Sequence, residues 1–163
     1  MTNRTAKPQL TKTHLAEVFR QHLDTTVSAL CQFTYARDCL IIEIDSKARN
    51  PKILAHKAQS SVLPEDKTPA RLDLFSRRAA KIGRLLHMTE LDENNRELHF
   101  LGYPIRYPNG QIFGLISING ASVPYGLKTA TKTMQRFAHI IEEDLLLAEL
   151  HNTSVKIESN ATG

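Results

Sequence analysis

Apolar residues in the first part of the chain recur at three- and four-residue steps: Leu15, Val18, Phe19, Leu23, Val27 and Leu30. That period predicts an amphipathic helix beginning near Thr11. Thr11 or Thr13 can cap it, and Glu17 is early enough to favour the positive end of its dipole. The pattern then changes. Cys39-Leu-Ile-Ile-Glu-Ile-Asp45 is a compact β-branched run, so a strand, and Asn50-Pro51 makes a turn before a second strand over Lys52 to Gln59. The short connection favours antiparallel pairing. Residues 60–68 are a polar loop, after which Thr68-Pro69 reads as a cap followed by proline in the first helical position. That helix is expected to run to about Lys81 and stop near Gly83, with a third strand over Arg84 to Leu91 and a turn at Asp92 to Asn95.

The most specific stretch is 98–119, two apolar runs flanking Tyr107-Pro108-Asn109-Gly110. Proline presets φ, and Asn and Gly tolerate a left-handed backbone, which predicts a hairpin on a type I turn followed by a glycine bulge. Its second arm, Ile112 to Ile118, is apolar on both alternating faces and therefore belongs at the centre of a sheet covered on both sides. Pro104 lies inside a strand and needs a bulge or an unpaired backbone position, while Gly114 leaves room for a close neighbour. Gly120 to Gly126 is expected to be a loop. A last long helix begins near Leu127 and carries Met134, Phe137, Ala138, Ile141, Leu145 and Leu147. Helix, two strands, helix, three strands, helix: an α+β domain on an antiparallel sheet.

Composition narrows the classes without choosing among them. The chain has 163 residues, 41% apolar and 23% charged, enough for one domain with a real core. No apolar run approaches the ~18 residues of a membrane span, and the polar N-terminus is unlike a signal peptide. A cytoplasmic location with no membrane partner is the expectation. The net charge of +4 is spread out. Its densest segment, with Arg71, Arg77, Arg78, Lys81 and Arg84, interleaves with Leu72, Phe75, Ala79 and Ile82 as the solvated face of a helix would. No stacking aromatics accompany it, so no direct nucleic-acid partner is expected.

Candidate chemistry is sparse. Cys31 and Cys39 offer no disulfide framework and no metal-ligand spacing and are read as buried structural thiols. No Gly-rich phosphate loop follows a strand, and no Ser-His-Asp arrangement stands out. Glu142, Glu143 and Asp144 are consecutive on a helix and fan outward. The histidines remain. His99, Leu101 and Tyr103 share one strand face by two-residue alternation, with His87 on a neighbouring strand. His99 and Tyr103 are the candidate ligand-binding residues, or His99 an axial haem ligand; the alternative is a hydrogen-bonded histidine beside a core tyrosine. No catalytic or metal-binding residue is assigned and no cofactor is specified.

The element order, together with Gly102, Pro104, Pro108, Asn109, Gly110, Phe113 and Gly114, resembles the bacterial GAF domains. Their recurring pattern is an apolar pair, Gly, Pro, an apolar residue, a Pro-Asp/Asn-Gly turn, then Phe-Gly and an apolar strand. The resemblance covers roughly residues 11–150. It implies a PAS-related antiparallel sheet of five to six strands, the N- and C-terminal helices on one face, and loops with a short helix on the other. It implies a non-catalytic small-molecule-sensing or dimerising module joined to an output domain. The signature of the cyclic-nucleotide-binding type is missing: Asn94-Asn-Arg-Glu97 lacks its spacing. Bilin-binding types need a cysteine in the pocket loops or just before the hairpin. Free methionine sulfoxide reductases use later cysteines, and none follows Cys39.

Residues 1–10 are expected to be disordered, and residues 151–163 to begin a signalling helix or linker. Leu147, Leu150, Ser154, Ile157 and Ala161 continue at the alternating steps of a coiled coil, pointing to a homodimer through the terminal helices. Simple fraying of a last helix containing Asn152-Thr153 is the alternative. Glu158-Ser-Asn-Ala-Thr-Gly163 resembles the linker before a diguanylate cyclase domain, although the motif that would follow is absent. A histidine kinase or a transcription regulator are the competing outputs. A small enzyme with His99 as general base, or a ligand-free interaction scaffold, are the competing functions.

Overall fold

In the computed structural model, residues 12–44, 51–58, 77–91, 93–121 and 127–161 are described. The expectations for residues 1–10, the 60–68 loop and the Thr68-Pro69 helix start lie outside them. Helix α1 (Lys12–Thr34) follows the apolar period closely, placing Leu23, Val27 and Leu30 in the core. Its first turn holds no acidic residue, so Glu17 comes too late to serve the dipole. The helix ends on Tyr35 at φ 54°, a left-handed position normally given to glycine.

Strands β1 (Asp38–Glu43), β2 (Lys52–Ala58), β3 (Leu86–Leu91), β4 (Glu97–Arg106) and β5 (Ile112–Ala121) form one antiparallel sheet in the order β2-β1-β5-β4-β3. β5 is central, as its doubly apolar pattern requires. It also runs through Gly120, which the sequence pattern assigns to a loop. Helix α2 is described over residues 77–82 and closes on Gly83, whose φ is 67° and whose N–H donates to the Ala79 carbonyl at 3.0 Å.

The 107–110 turn has the expected form. Gly110 N–H donates to the Tyr107 carbonyl at 2.9 Å, Tyr107 N–H to the Gln111 carbonyl at 2.8 Å, and Gly110 takes φ 86°. The Asn109 side chain accepts from Gln111 N–H at 3.0 Å. Arg106 fastens this turn to the end of α2: its guanidinium donates to the Gly110 carbonyl at 2.8 Å and to the Gly83 carbonyl at 2.6 Å. Pro104 lies beyond the last β3–β4 pair, Leu86–Gly102, so no strand on that side needs the N–H it lacks. A Cβ on Gly114 would sit 2.0 Å from the Ile42 carbonyl oxygen, which explains glycine there.

Helix α3 (Leu127–Ala161) is continuous for 35 residues. Ala130, Met134, Ala138 and Ile141 pack with α1 against Cys39, Ile41, Leu101, Ile105, Ile116 and Ile118 on one face of the sheet. Burying each large side chain stabilises by about 1.5–3 kcal/mol. The terminal helices thus share one face, as the resemblance implies, and a 2.5 Å contact between His22 Nδ1 and Asp144 Oδ2 ties them together. The α+β class and the antiparallel five-stranded sheet match the sequence reading.

Candidate functional site

Strand register divides the polar side chains between two places. On the helix-facing side, alternation along β4 puts His99 and Tyr103 in line with Leu101, as expected, and Tyr103 packs at the margin of the main core. Burial pushes the Tyr103 hydroxyl pKa up, and the nearby Glu142 carboxylate adds to this, with Arg106 opposing. At the outer edge His87 sits opposite Leu101 and His99 opposite Thr89, a diagonal pair on one face. Their rings lie nearly parallel and edge to edge, 5.1 Å between centroids, with His87 Nε2 2.8 Å from His99 Nδ1. Sequence spacing anticipated the shared face of His99 and Tyr103. It gave no hint that the histidine rings touch each other.

The opposite face carries Asp38, Leu40 and Ile42 from β1, His56 from β2, Gly102 and Pro104 from β4, and Leu115, Ser117 and Asn119 from β5. Leu40, Ile42, Leu115 and Ser117 are all buried. A polar row crosses three strands at one end. His56 Nε2 lies 2.9 Å from Asp38 Oδ1, Asp38 is register partner to Asn119, and the Ser117 hydroxyl donates to Asn119 Oδ1 at 3.0 Å. None of these four residues stood out in the sequence. Ser117 was the one readable signal, a lone hydroxyl in an otherwise apolar central strand; the rest depends on register.

That row contains serine, histidine and aspartate without being a hydrolase triad. Leu40 is the register partner of both His56 and Ser117, so two strand spacings, ~9.6 Å of backbone, separate the would-be nucleophile from its base. The serine also commits its hydrogen to Asn119. What the row offers is a set of hydrogen-bonding groups beside an apolar floor, the make-up of a small-molecule site. Thiol chemistry is equally unpromoted. Cys31 and Cys39 are both buried free thiols. Burial pushes the pKa of each up, strongly at Cys39, where Cys31 is the second cause. Neither thiol is poised as the thiolate a redox mechanism needs.

Among the described residues, no His, Cys, Asp and Glu group of three or more is placed to hold a metal ion, and no helix is long and apolar enough to cross a membrane. A different kind of surface lies on α3. Ile140, Leu147, Leu150 and Ile157 follow one another at coiled-coil steps, and Leu150 and Ile157 are 54% and 63% exposed. Asn152 and Thr153 do not interrupt the helix. Thr153 and Ser154 hydroxyls donate back to the Glu149 and Leu150 carbonyls, each at 3.0 Å, and keep their polar groups satisfied within it.

A five-stranded antiparallel sheet in this order, with the terminal helices together on one face, defines the α+β architecture. Solved structures make the assignment specific: the chain has the GAF fold. A PixJ GAF domain from Thermosynechococcus elongatus, in its blue-light-absorbing form, is 17% identical over 89% of this chain and 94% of its own, with a TM-score of 0.55. The GAF domain of an Acinetobacter phosphoenolpyruvate-protein phosphotransferase is 14% identical over 83% and 86%, with a TM-score of 0.58. A free methionine-R-sulfoxide reductase from Neisseria meningitidis, solved with its substrate, is 11% identical over 85% and 88%, with a TM-score of 0.59. No protein-family model matches the sequence, and no curated protein matches it.

Proposed function

We propose that this chain is a non-catalytic, small-molecule-sensing and dimerising GAF domain of a bacterial signal-transduction protein, working in the cytoplasm. The observation that carries the reading is α3. A helix whose N-terminal half is built into the core continues with exposed Leu147, Leu150 and Ile157 at coiled-coil spacing. Such a helix fits a homodimer seam and a rigid lever to an output domain. A diguanylate cyclase is the favoured output, with a histidine kinase or a transcription regulator as the alternatives.

Ligand recognition is assigned to the sheet face carrying Asp38, His56, Ser117 and Asn119, where polar groups meet an apolar floor. His99 and Tyr103 lie on the helix-facing side, and Tyr103, packed against the core with Glu142 of α3 nearby, would feel a movement of that helix. A binding event on either face acts on the output only through a difference in affinity between two helix arrangements. The absence of any cysteine after Cys39, with both thiols buried, favours the sensor over an enzyme like the Neisseria reductase.

Sedimentation of the full chain against a version truncated after Leu147 tests the dimer. The full chain is expected to be dimeric and the truncated one monomeric. Monomers in both cases at high micromolar concentration would refute the seam. A thermal-shift screen of metabolites separates sensor from scaffold, since a ligand at 100 times its Kd adds ~2.7 kcal/mol and a scaffold shows no hit.

A further inference from the structure

We propose that His87 and His99 form a two-nitrogen binding site for a borderline divalent transition metal, of the Ni2+ or Cu2+ class, clamping the edge strand β3 to β4. The site lies on the helix-facing side of the sheet, apart from the ligand face proposed above. It stands on geometry: two imidazoles from adjacent strands, on one face, present Nε2 of His87 and Nδ1 of His99 to each other at 2.8 Å.

The donor set distinguishes among metals. The two rings are nearly parallel with their nitrogens head-on at 2.8 Å, so the exposed His87 ring must turn until both lone pairs converge on one ion. Imidazole nitrogens suit Cu2+ and Ni2+, whose tetragonal or octahedral shells take two adjacent nitrogens and fill with water, whereas Zn2+ sites are usually built from three or four protein ligands. Hard cations such as Mg2+ seek oxygen ligands and gain nothing from two imidazoles. The remaining positions on the ion stay open to water, because no third His, Cys, Asp or Glu among the described residues completes the set.

Tautomers fit as well. Glu97 Oε2 lies 3.9 Å from His99 Nε2, on the side of the ring away from His87, and favours a proton on that nitrogen. The His99 Nδ1 lone pair is then directed at His87, whose Nε2–H donates to it. A metal ion takes the place of that shared hydrogen once His87 moves its proton to Nδ1, so both rings bind in the neutral state that coordination requires. Occupancy replaces one exposed hydrogen bond with a bridge of two coordinate bonds. It would hold β3, which among the described residues pairs only with β4, against the rest of the sheet.

The test is calorimetric titration of tag-free protein with NiCl2, with ZnCl2 and MgCl2 alongside. Saturable binding of one Ni2+ per chain is expected, weaker binding of Zn2+, and none of Mg2+. His87→Gln and His99→Gln should each weaken Ni2+ binding about tenfold or more. His139→Gln, an exposed histidine on α3, should leave it unchanged. No saturable binding at about 1 mM Ni2+ would overturn the proposal. So would one-to-one binding that survives His87→Gln, a change at an exposed edge position that leaves the core intact.

Discussion

The centre and the periphery of this molecule are built by opposite rules. β1 and β5 lie side by side, with Ile41, Ile42, Leu115, Ile116 and Ile118 fully buried and both faces of the sheet closed around them. Among the described residues β3 pairs on one edge only, and it alternates between half-buried and exposed, while the last turns of α3 carry exposed leucine and isoleucine. At the centre, side-chain size is set to fractions of an ångström. At the periphery, the same residue types are left over for something else to cover. Stability is therefore concentrated in the packed middle of β1 and β5, with the polar row at one end of them, and exposed chemistry lies where a partner, an ion or a proton can shift an equilibrium cheaply.

Glycine offers the sharpest contrast. Gly114→Ala places a methyl group against the Ile42 carbonyl, a backbone atom of the neighbouring strand that cannot swing aside. We expect a loss of about 3 kcal/mol. Gly110→Ala meets no atom within 4 Å and costs only the left-handed backbone conformation, about 1 kcal/mol. Urea denaturation of both variants checks the order. Equal losses would mean that the β1–β5 approach is softer than its geometry implies.

At the far end of α3 the expected effect moves from folding to association. Leu150→Ser together with Ile157→Ser removes two side chains that are more than half exposed, so the monomer's stability should change by less than about 0.5 kcal/mol. Light scattering should instead show the dimer dissociating at concentrations where the unsubstituted chain remains paired. A double variant that unfolds would place these residues in the monomer's own core, and one that stays dimeric would remove them from the seam.

Much of the centre was legible from the sequence, because local chemistry and global fold agree there. Pro108-Asn109-Gly110 can hardly form anything but a tight turn, and Gly83 marks the end of α2 by conformational freedom alone. The apolar run of β5 names it as the middle strand. The end of α1 was not readable, since Tyr35 takes a left-handed conformation with no glycine to signal it. The polar row was hidden for another reason. Asp38 and His56 are 18 residues apart, and only the β1–β2 register, with its irregularity between Ile41 and Ile42, brings them together. His87 and His99 meet by the same kind of coincidence across β3 and β4. Turn chemistry is written in neighbouring residues, whereas a site made by register is written in the pairing.

The smallest effect concerns the edge strand and pH. Loss of water around the His87 ring, and then the neighbouring His99, push its pKa below the ordinary histidine value, with Glu97 opposing. A histidine that the fold holds neutral contributes stability that is complete above its unfolded pKa of about 6.5. That contribution is lost as pH falls from there through the lower folded value. His87→Gln keeps a polar side chain and removes the titration. Between pH 7.5 and 5.5 the parent chain should therefore lose more stability than the variant, by a small margin suited to an exposed ring. Paired urea titrations at both pH values measure the difference. If the variant loses as much as the parent, His87 and His99 do not share their proton as the 2.8 Å contact indicates, and the edge of the sheet is as insensitive to pH as its centre.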